Sequence, residues 1–416
     1  MKVFKFGGAS VKDAQGVKNI SHILSLFSRD HLILVISAMG KTTNHLEQVL
    51  KLYIDKENYQ EKLEEIKDAH LQICKDLMPS NTIIFTEIEQ VFFNLNQFFE
   101  LNKSPQYDYI YDQVVSKGEL LSTKIVSAYL NESHYPNTWL DARDYIKTDD
   151  NFREGILDWD LTCQRLNELD FNKLYVTQGF IGSDENRFTT TLGREGSDYT
   201  GAIIAYCINA ESLTIWKDVP GVLNADPRYF ENTIKLNHIS YEEAIELSYY
   251  GASVIHPKTL QPLQHKSIPL YVKSFEDPAA EGTVIKSGSA LEPQTPCYIV
   301  KKEQNVLHIS TKDFSFIDEK VIRDVFNKFA TYQIKVTLMQ ISAISLSLCI
   351  EDKFYRLEEC IKDFKKDFLV ELTADCTLFT IRYYTEDYKN LIPNISHCLI
   401  KQIRETTLQI VVKNEI

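Results

Sequence analysis

The sequence predicts an α/β protein, with a mainly parallel sheet sandwiched by helices and two smaller ferredoxin-like units after it. Short apolar runs at Val3–Phe6 and Leu32–Ile36 are each followed by a loop that contains glycine, and apolar residues between them recur at helical spacing. This strand–helix–strand alternation is typical of a parallel sheet. Beyond residue 296, the elements follow the order βαββαβ, which is that of a ferredoxin-like unit.

We interpret residues 44–101 as a helical insertion or lid in the first part of the chain. This stretch is rich in Glu and Lys, and its apolar residues recur as in long amphipathic helices. The register is not sustained over the heptads that a coiled coil requires. Strands then resume at Thr138–Leu140, Leu174–Gln178, Leu213–Trp216 and Leu270–Val272.

Glycine, serine and proline cluster near residues 282–296, as in a linker. We therefore expect a large α/β domain at 1–285, a linker at 286–300, a ferredoxin-like unit at 301–372 and a shorter one at 373–416, with interleaving of the two units as an alternative. The elements predicted here are strand Val306–Ser310, helix Glu319–Phe329, strands Lys335–Gln340 and Ile344–Ile350, helix Phe354–Phe364, and strands Phe368–Leu372, Thr377–Tyr384 and Thr407–Val412.

The composition argues against several classes of protein. With 45 basic and 58 acidic side chains in 416 residues, the formal net charge is −13, which disfavours nucleic-acid binding. No apolar run approaches the roughly 18–20 residues that span a bilayer, and no signal peptide is apparent. The eight cysteines contain no Cys-x-x-Cys pair, and the ten histidines have no ligand spacing. We expect a cytoplasmic protein with reduced cysteines and no metal site.

Lys5, Phe6, Gly7 and Gly8 form the first candidate site. The two glycines follow a predicted strand, so their backbone N–H groups can approach a phosphate beside the start of the next helix. Lys5, near the end of the strand, can neutralise phosphoryl oxygens. Taken alone the pattern is weak, because Gly-Gly after a strand is more often a plain turn.

The loop from Ser37 to Thr43 contains Gly40-Lys41-Thr42 after an apolar strand, as a P-loop would. That motif requires a glycine five places before Gly40, where this chain has Val35. We therefore reject a P-loop. What remains is a loop of small residues at the carboxyl end of a strand, where doubly wound sheets bind ligands.

The segment from Thr189 to Asp198 is the most informative. Its three threonines favour a β-strand, and a loop with two glycines connects them to a predicted helix. Ser197 or Asp198 is a suitable N-cap for that helix. Capping alone leaves Arg194 unexplained. An arginine in such a loop, beside a helix N-terminus, is well placed to bind a carboxylate in a bidentate manner.

Two turns rich in acidic residues, proline and glycine follow one of the predicted strands. The first contains Lys217 and Asp218, and the second contains Asp226 and Arg228. They are ordinary turn sequences, but their place after a strand also suits contact with a nucleotide. Further on, His256-Pro257-Lys258 predicts a helix start with proline in the first turn. His256 alone is more often a core histidine than a catalytic base.

Together these segments resemble the aspartate kinases of the amino-acid kinase superfamily, and the C-terminal units resemble the tandem ACT domains of that family. The matching segments come in family order, so they are more specific together than any one alone. They are Lys5–Ser10, Ser37–Asn44, Lys117–Ser122, Gly179–Gly182, Thr189–Asp198, Trp216–Gly221, Asp226–Arg228 and Gly251–Lys258.

The resemblance implies transfer of the ATP γ-phosphoryl group to the β-carboxylate of L-aspartate, giving 4-phospho-L-aspartate and ADP on the route to lysine, threonine and methionine. It implies that Lys5 neutralises the transferred group and that Asp198 orients Lys5. Mg²⁺ would be carried mainly by the ATP phosphates.

The resemblance also implies two sets of binding residues. Those for aspartate are Arg194 at the α-carboxylate and Glu119 at the ammonium group, with Ser37, Thr43 and Ser197 in the pocket. Those for the nucleotide are Lys5, Phe6, Gly7, Gly8, Lys217, Asp218, Leu223, Asp226, Arg228, Ser253, Val254 and Lys258.

Three positions depart from the family pattern. The family usually has threonine at the position of Ala9 and glycine at that of Glu195, and often has lysine at that of Ser253. Glu195 adds a negative charge beside Arg194, which weakens anion binding unless its carboxylate points elsewhere. None of the three changes removes a group that the reaction needs.

Two other functions stay open. One is another enzyme of the superfamily, acting on N-acetylglutamate, glutamate or UMP, which the ACT-like units and Glu119 disfavour. The other is an inactive amino-acid sensor, which has no need of Lys5, Arg194 and Asp198 together.

The resemblance further implies a homodimer built through the residues after about Pro296 and a lysine or threonine effector at the ACT-like units. No glycine occurs after Gly288, so the backbone has no glycine for close approach to an effector, and we expect weak feedback. A fused homoserine dehydrogenase is not expected in a chain that ends at Ile416.

Overall fold

Short apolar runs form the first strands, as predicted. The computed structural model describes residues 1–27, 31–252, 255–393 and 395–414. In it, β1 (Lys2–Phe6) and β2 (Leu32–Ile36) are parallel neighbours with most side chains buried, as in sheets covered by helices. Between them, α1 (Ala14–Ser25) begins after Asp13, whose side chain caps the helix by accepting a hydrogen bond from the Gly16 N–H.

The stretch that we interpreted as a helical insertion is helical. Its helices are α2 (Thr42–Ile54), α3 (Gln60–Leu77) and α4 (Thr82–Leu101), and α5 (Tyr107–Val115) and α6 (Lys117–Glu132) follow. Their apolar faces, including the fully buried Leu46, Ile88 and Leu95, pack into the same core as β1 and β2. The insertion is therefore part of the main core.

The remaining elements complete an eight-stranded sheet and its surroundings. They are β3 (Thr138–Leu140), α7 (Ala142–Tyr145), α8 (Trp159–Leu166), β4 (Leu174–Gln178), β5 (Ile181–Ser183), β6 (Thr189–Thr191), α9 (Gly196–Cys207), β7 (Ser212–Lys217), β8 (Val222–Leu223), β9 (Lys235–Leu236), β10 (His238–Ile239), α10 (Tyr241–Tyr250), α11 (Pro257–His265), β11 (Leu270–Ser274) and β12 (Thr283–Ile285). The strand order is β10-β12-β11-β7-β1-β2-β4-β3, and all neighbours except β11 and β12 are parallel. The predicted, mainly parallel sheet is confirmed.

The register of this sheet brings several loops to one edge. Phe6, the last residue of β1, pairs with Ile36 of β2 and with Trp216 of β7, and Ile36 pairs with Gln178 of β4. Because parallel strands end at the same edge, the loops after β1, β2, β4 and β7 leave the sheet together.

The C-terminal elements form a six-stranded antiparallel sheet in the order β14-β15-β13-β16-β18-β17. They are β13 (Cys297–Thr311), α12 (Glu319–Thr331), β14 (Lys335–Ile341), β15 (Ser345–Glu351), α13 (Leu357–Asp367), β16 (Phe368–Arg382), α14 (Tyr388–Leu391), β17 (Cys398–Arg404) and β18 (Thr407–Lys413). The predicted βαββαβ order is confirmed. This sheet and its helices form a compact unit with the stretches 223–234 and 246–252, while most of residues 1–293 form another.

Two strands of the second sheet, β13 and β16, are each 15 residues long. They pair from Thr311↔Phe368 at one end to Cys297↔Arg382 at the other, with shifts in register between Lys301 and Val306. Strand β13 therefore begins at Cys297 rather than at the predicted Val306. Both ferredoxin-like arrangements use the same two central strands.

The expectation of reduced cysteines is wrong for one pair. Cys163 of α8 and Cys207 at the end of α9 form a disulfide, with Cα atoms 4.6 Å apart. The two cysteines are 44 residues apart in sequence, so no local spacing pattern predicts that they pair. Cys74, Cys349 and Cys360 are buried, as expected of small apolar side chains. Among the described helices, none combines the length and apolar character needed to cross a membrane.

Candidate active site

The loops after β1 and β2 are joined at the carboxyl edge of the sheet. The Ser37 N–H donates to the Phe6 carbonyl at 3.1 Å, and the Gly40 N–H donates to the Gly8 carbonyl at 3.0 Å. A Cβ atom on Gly8 would lie 2.7 Å from the carbonyl oxygen of Ala38, so only glycine permits this approach. The two loops that the sequence singled out thus form one surface.

A buried carboxylate lies between two lysines at this edge. Lys5 Nζ is 2.6 Å from Asp198 Oδ1, and Lys217 Nζ is 3.5 Å from Asp198 Oδ2. Burial alone would raise the pKa of Asp198, but the two ammonium groups outweigh it and hold the pKa below its usual value. With two cations around one anion, the cluster keeps a net positive charge and favours an anionic ligand.

Asp198 reaches this cluster because α9 begins earlier than the sequence suggested. The prediction of Ser197 or Asp198 as N-cap is wrong, since the helix starts at Gly196 and Glu195 occupies the N-cap position with a left-handed φ of 52°. The Gly196 N–H donates a hydrogen bond to the Gly193 carbonyl at 3.0 Å, which completes the turn before the helix. The carboxylate of Asp198, in the first turn, is therefore available to Lys5.

Glu119 is a second buried carboxylate, in the first turn of α6. Its Oε1 accepts a hydrogen bond from the Ala38 N–H at 3.3 Å, while its Oε2 has no hydrogen-bond partner among the described residues. Burial raises the pKa of Glu119 to about 8, against the opposing effects of the Ala38 N–H and of Lys5. A buried carboxylate with an unsatisfied oxygen favours a cationic ligand group.

Arg194 lies exposed in the loop between β6 and α9. The strand before the loop is anchored by Asp112 of α5, which is fully buried. Asp112 accepts hydrogen bonds from the N–H and hydroxyl of Thr191 at 2.8 and 2.7 Å, and from the Arg153 N–H at 2.9 Å. Burial raises the pKa of Asp112 to about 6.

Sequence reasoning missed Asp112, because it belongs to no motif and contacts residues about 40 and 80 positions away. It also gave no role to Lys117, the first residue of α6, although the matched segment around Glu119 contains it. Burial, together with Arg143, lowers the pKa of Lys117 to about 8. The sequence did contain a signal for Lys117, namely that it is a charged residue within a segment that matches the family.

The start of α11 contacts the Arg194 loop. As predicted, α11 begins at Pro257, and His256 is its N-cap, with Nδ1 accepting from the Lys258 N–H at 3.2 Å. Glu195 Oε2 accepts a hydrogen bond from the His256 N–H at 2.9 Å. Lys258 Nζ donates to the Leu192 carbonyl at 3.0 Å.

The other predicted nucleotide contacts are spread more widely. Phe6 is fully buried and stacks on Trp216, so only its backbone is available to a ligand. Asp226 and Arg228 form an ion pair with each other at 2.5 Å. Leu223, Asp226 and Arg228 belong to the second compact unit, Gly7 and Asp218 to the first, and Ser253 and Val254 lie outside the described residues.

The remaining predicted pocket residues lie close to the joined loops or to α9. Ser37 directly follows β2, and Thr43 is in the first turn of α2; both are half-buried. Ser197 lies against Gly179, where a Cβ atom would be 2.6 Å from that of Ser197. Within the described ranges, no three His, Cys, Asp or Glu side chains are grouped closely enough to hold a metal ion.

The chain is similar in sequence to a known family and to several known proteins. Residues 1–274 match the amino acid kinase family. The chain is 32% identical to lysine-sensitive aspartokinase 3 of Escherichia coli, over 84% of this chain and 78% of that protein. It is also 32% identical to chloroplastic aspartokinase 1 of Arabidopsis thaliana, over 84% of this chain and 63% of that longer protein.

Solved structures agree over nearly the whole chain. The E. coli aspartokinase III complex with lysine and aspartate matches with a TM-score of 0.81 and 28% identity, covering 99% of this chain and 96% of that one. The complex of the same enzyme with aspartate and ADP matches with a TM-score of 0.80, 26% identity and the same coverage. The aspartate kinase of Clostridium acetobutylicum matches with a TM-score of 0.81 and 25% identity, again over 99% and 96% of the two chains.

Proposed function

Because the chain belongs to the amino acid kinase family, and within it to the aspartokinases, we propose that it transfers the γ-phosphoryl group of ATP to the β-carboxylate of L-aspartate. The products are 4-phospho-L-aspartate and ADP. The observation that carries the proposal is the buried Lys5–Asp198 pair, with Lys217 beside it, at the carboxyl edge of the sheet. This net positive cluster is suited to a phosphoryl group that carries several negative charges.

The reaction needs little acid–base chemistry from the protein. The β-carboxylate of aspartate is ionised at neutral pH, so it is already a nucleophile. What remains is to hold donor and acceptor in line and to neutralise the charge on the moving group. Lys5 neutralises that charge, and Asp198 fixes the direction of its ammonium group at 2.6 Å.

Aspartate is bound by its charges. Arg194 binds the α-carboxylate, and Glu119 binds the ammonium group through the oxygen that has no partner among the described residues. Ser37, Thr43 and Ser197 line the pocket. Since a buried group designed for a charged partner rejects ligands that lack it, Glu119 also selects amino acids over simple dicarboxylates.

The nucleotide is bound through the Phe6–Gly8 backbone, Lys217 and Asp218, with Lys258 as a further contact. Mg²⁺ is held mainly by the ATP phosphates, since Mg²⁺ keeps several waters and usually binds through substrate phosphates and one or two carboxylates. Residues 1–285 form the catalytic domain of this proposal, and residues 301–416 form its regulatory ACT-like units.

Regulation and assembly belong to the same proposal. The relative from E. coli was solved with lysine, which supports lysine, with threonine as the alternative, as an effector of the ACT-like units. Exposed apolar side chains on β16 and β17 favour a homodimer that covers them. These side chains are Leu369, Leu372, Leu399 and Ile403. The cytoplasm, where ATP and aspartate are abundant, is the location we propose.

One assay tests the reaction. Purified protein with ATP and Mg²⁺ should release ADP only when L-aspartate is present, and hydroxylamine should trap the acyl phosphate as aspartyl hydroxamate. ADP release with glutamate, N-acetylglutamate or UMP instead would favour another enzyme of the family. No ADP release with any of them would favour the inactive sensor.

A further inference from the structure

The loop that carries Arg194 is fixed on both sides by the start of α11. After Arg194, Glu195 Oε2 accepts a hydrogen bond from the His256 N–H at 2.9 Å. Before it, the Leu192 carbonyl accepts one from Lys258 Nζ at 3.0 Å. These two ties join segments more than 60 residues apart in sequence. They bracket the one arginine that the proposed function assigns to aspartate.

The backbone conformation of Glu195 is unfavourable for a residue other than glycine. Its φ of 52° is left-handed, a region that glycine enters freely and a glutamate does not. The compensation lies in its side chain, because the first N–H groups of a helix lack partners within the helix. Its carboxylate accepts a hydrogen bond from the N–H of His256, the N-cap of α11, and so lies at the positive end of that helix dipole.

We propose that Glu195 is a positioning residue for Arg194, and that Lys258 supplies the second tie. The inference rests on the proposed function, since that function places the aspartate α-carboxylate on Arg194. With both sides of the loop fixed, the guanidinium samples fewer orientations, and less entropy is lost when the carboxylate binds. The glutamate that departs from the family pattern therefore supports the substrate arginine.

The tie should be visible without any substrate. Hydrogen–deuterium exchange of the intact protein is measured for peptides that cover residues 190–198. Glu195→Gly, which removes the acceptor, should speed exchange there by about fivefold or more, since the loop then opens more readily. Glu195→Gln should stay close to the parent, because its amide oxygen can accept the same hydrogen bond. Lys258→Met should speed exchange in the same peptides.

Kinetics test the consequence for aspartate. Glu195→Gly should raise KM for aspartate by about 3–10-fold with kcat within about twofold, and Glu195→Gln should restore KM. The matched control is Glu185→Gly, at an exposed acidic residue of a neighbouring loop. It should leave both the exchange of residues 190–198 and KM unchanged.

Two results would overturn the inference. One is unchanged exchange at residues 190–198 in Glu195→Gly. The other is a loss in Glu195→Gln as large as that in Glu195→Gly, since the hydrogen bond would then not be the cause. Failure of the proposed function has a different signature. The parent protein would then release no ADP with aspartate, while the exchange difference between the variants could still be read.

Discussion

Lys5 Nζ lies 2.6 Å from Asp198 Oδ1, and the two side chains are only 9% and 5% exposed. A buried ion pair of this kind contributes little net stability, because desolvation offsets most of the Coulomb attraction. Its value lies in fixing the direction of a buried ammonium group. Lys217, at 3.5 Å from the same carboxylate, adds the second positive charge that makes the cluster attractive to phosphate.

Replacing Lys5 with methionine should lower kcat by roughly 10²–10³-fold, by analogy with the loss of a preorganised oxyanion donor. Asp198 keeps Lys217 as a partner, so circular dichroism should show an intact fold. Lys2→Met, at an exposed position of the same strand, is the control and should leave kcat unchanged. A near-normal kcat in Lys5→Met would contradict the assigned role.

Arg194→Lys should raise KM for aspartate far more than KM for ATP, because a single ammonium group cannot reproduce a bidentate contact. Steady-state kinetics with each substrate varied in turn measure the two values. Arg187→Lys, at an exposed position before β6, serves as the control. If the affinity for ATP fell instead, Arg194 would belong to the nucleotide site.

Glu119 should make aspartate binding release protons. Burial raises the pKa of Glu119 to about 8, so the free protein holds this group mostly protonated at pH 7. The substrate ammonium favours the carboxylate and lowers that pKa, so a proton leaves on binding. Affinity for aspartate should therefore rise from pH 6 to pH 8, by at most about tenfold per pH unit.

Calorimetry in buffers of different ionisation enthalpy measures this release. Glu119→Gln should abolish it and should also weaken aspartate binding. An equal proton balance in the parent and in Glu119→Gln would show that another group titrates.

Asp112→Ala should destabilise the protein by about 2–4 kcal/mol, because the two buried donors of Thr191 and the partly buried N–H of Arg153 lose their acceptor. Asp112→Asn, which retains an acceptor oxygen, should cost less. The folded-state pKa of Asp112, about 6, lies above the unfolded value of about 3.9. Its contribution to stability therefore falls as pH rises between these values and is constant above them.

Urea unfolding at several pH values tests both statements about Asp112. In Asp112→Ala this part of the pH dependence should be absent. A variant as stable as the parent would show that the three hydrogen bonds carry little free energy.

Lysine and threonine, alone and together, should inhibit only weakly, at millimolar concentrations or above. The loop after β13 contains no glycine, and Phe314 occupies its left-handed position with φ 60° and a side chain that is 78% exposed. A bulky residue where the backbone turns should hinder close approach of an effector. Strong inhibition at submillimolar concentrations would contradict this expectation, and titration into the ADP-release assay decides it.

Much of the fold follows from local sequence. Strand β2 begins and ends where its apolar run does, because both faces of a parallel sheet are buried and polar residues bound the run. The observed bounds of β3 and β4 are also the predicted ones. The start of α11 was equally readable, since Pro257 in the first turn marks it. In such places a few neighbouring residues determine the structure.

The site was readable only in part. The motifs pointed to Lys5, Arg194 and Asp198, and the resemblance implied that Asp198 orients Lys5. The N-cap of α9 was predicted wrongly, because Glu195, with a left-handed φ, occupies that position. The role of Asp112 and the Cys163–Cys207 disulfide depend on contacts between residues at least 41 positions apart, which no rule of sequence spacing predicts. Such features are properties of tertiary packing.

The two 15-residue strands β13 and β16 also limit how the C-terminal half can be engineered. Because both ferredoxin-like arrangements are built on the same two strands, neither can be excised or transplanted as a cassette without cutting the backbone pairing of the other. A chimaera that exchanges sensory properties with a relative must therefore take the whole sheet from Cys297 to Lys413, or change single side chains on it.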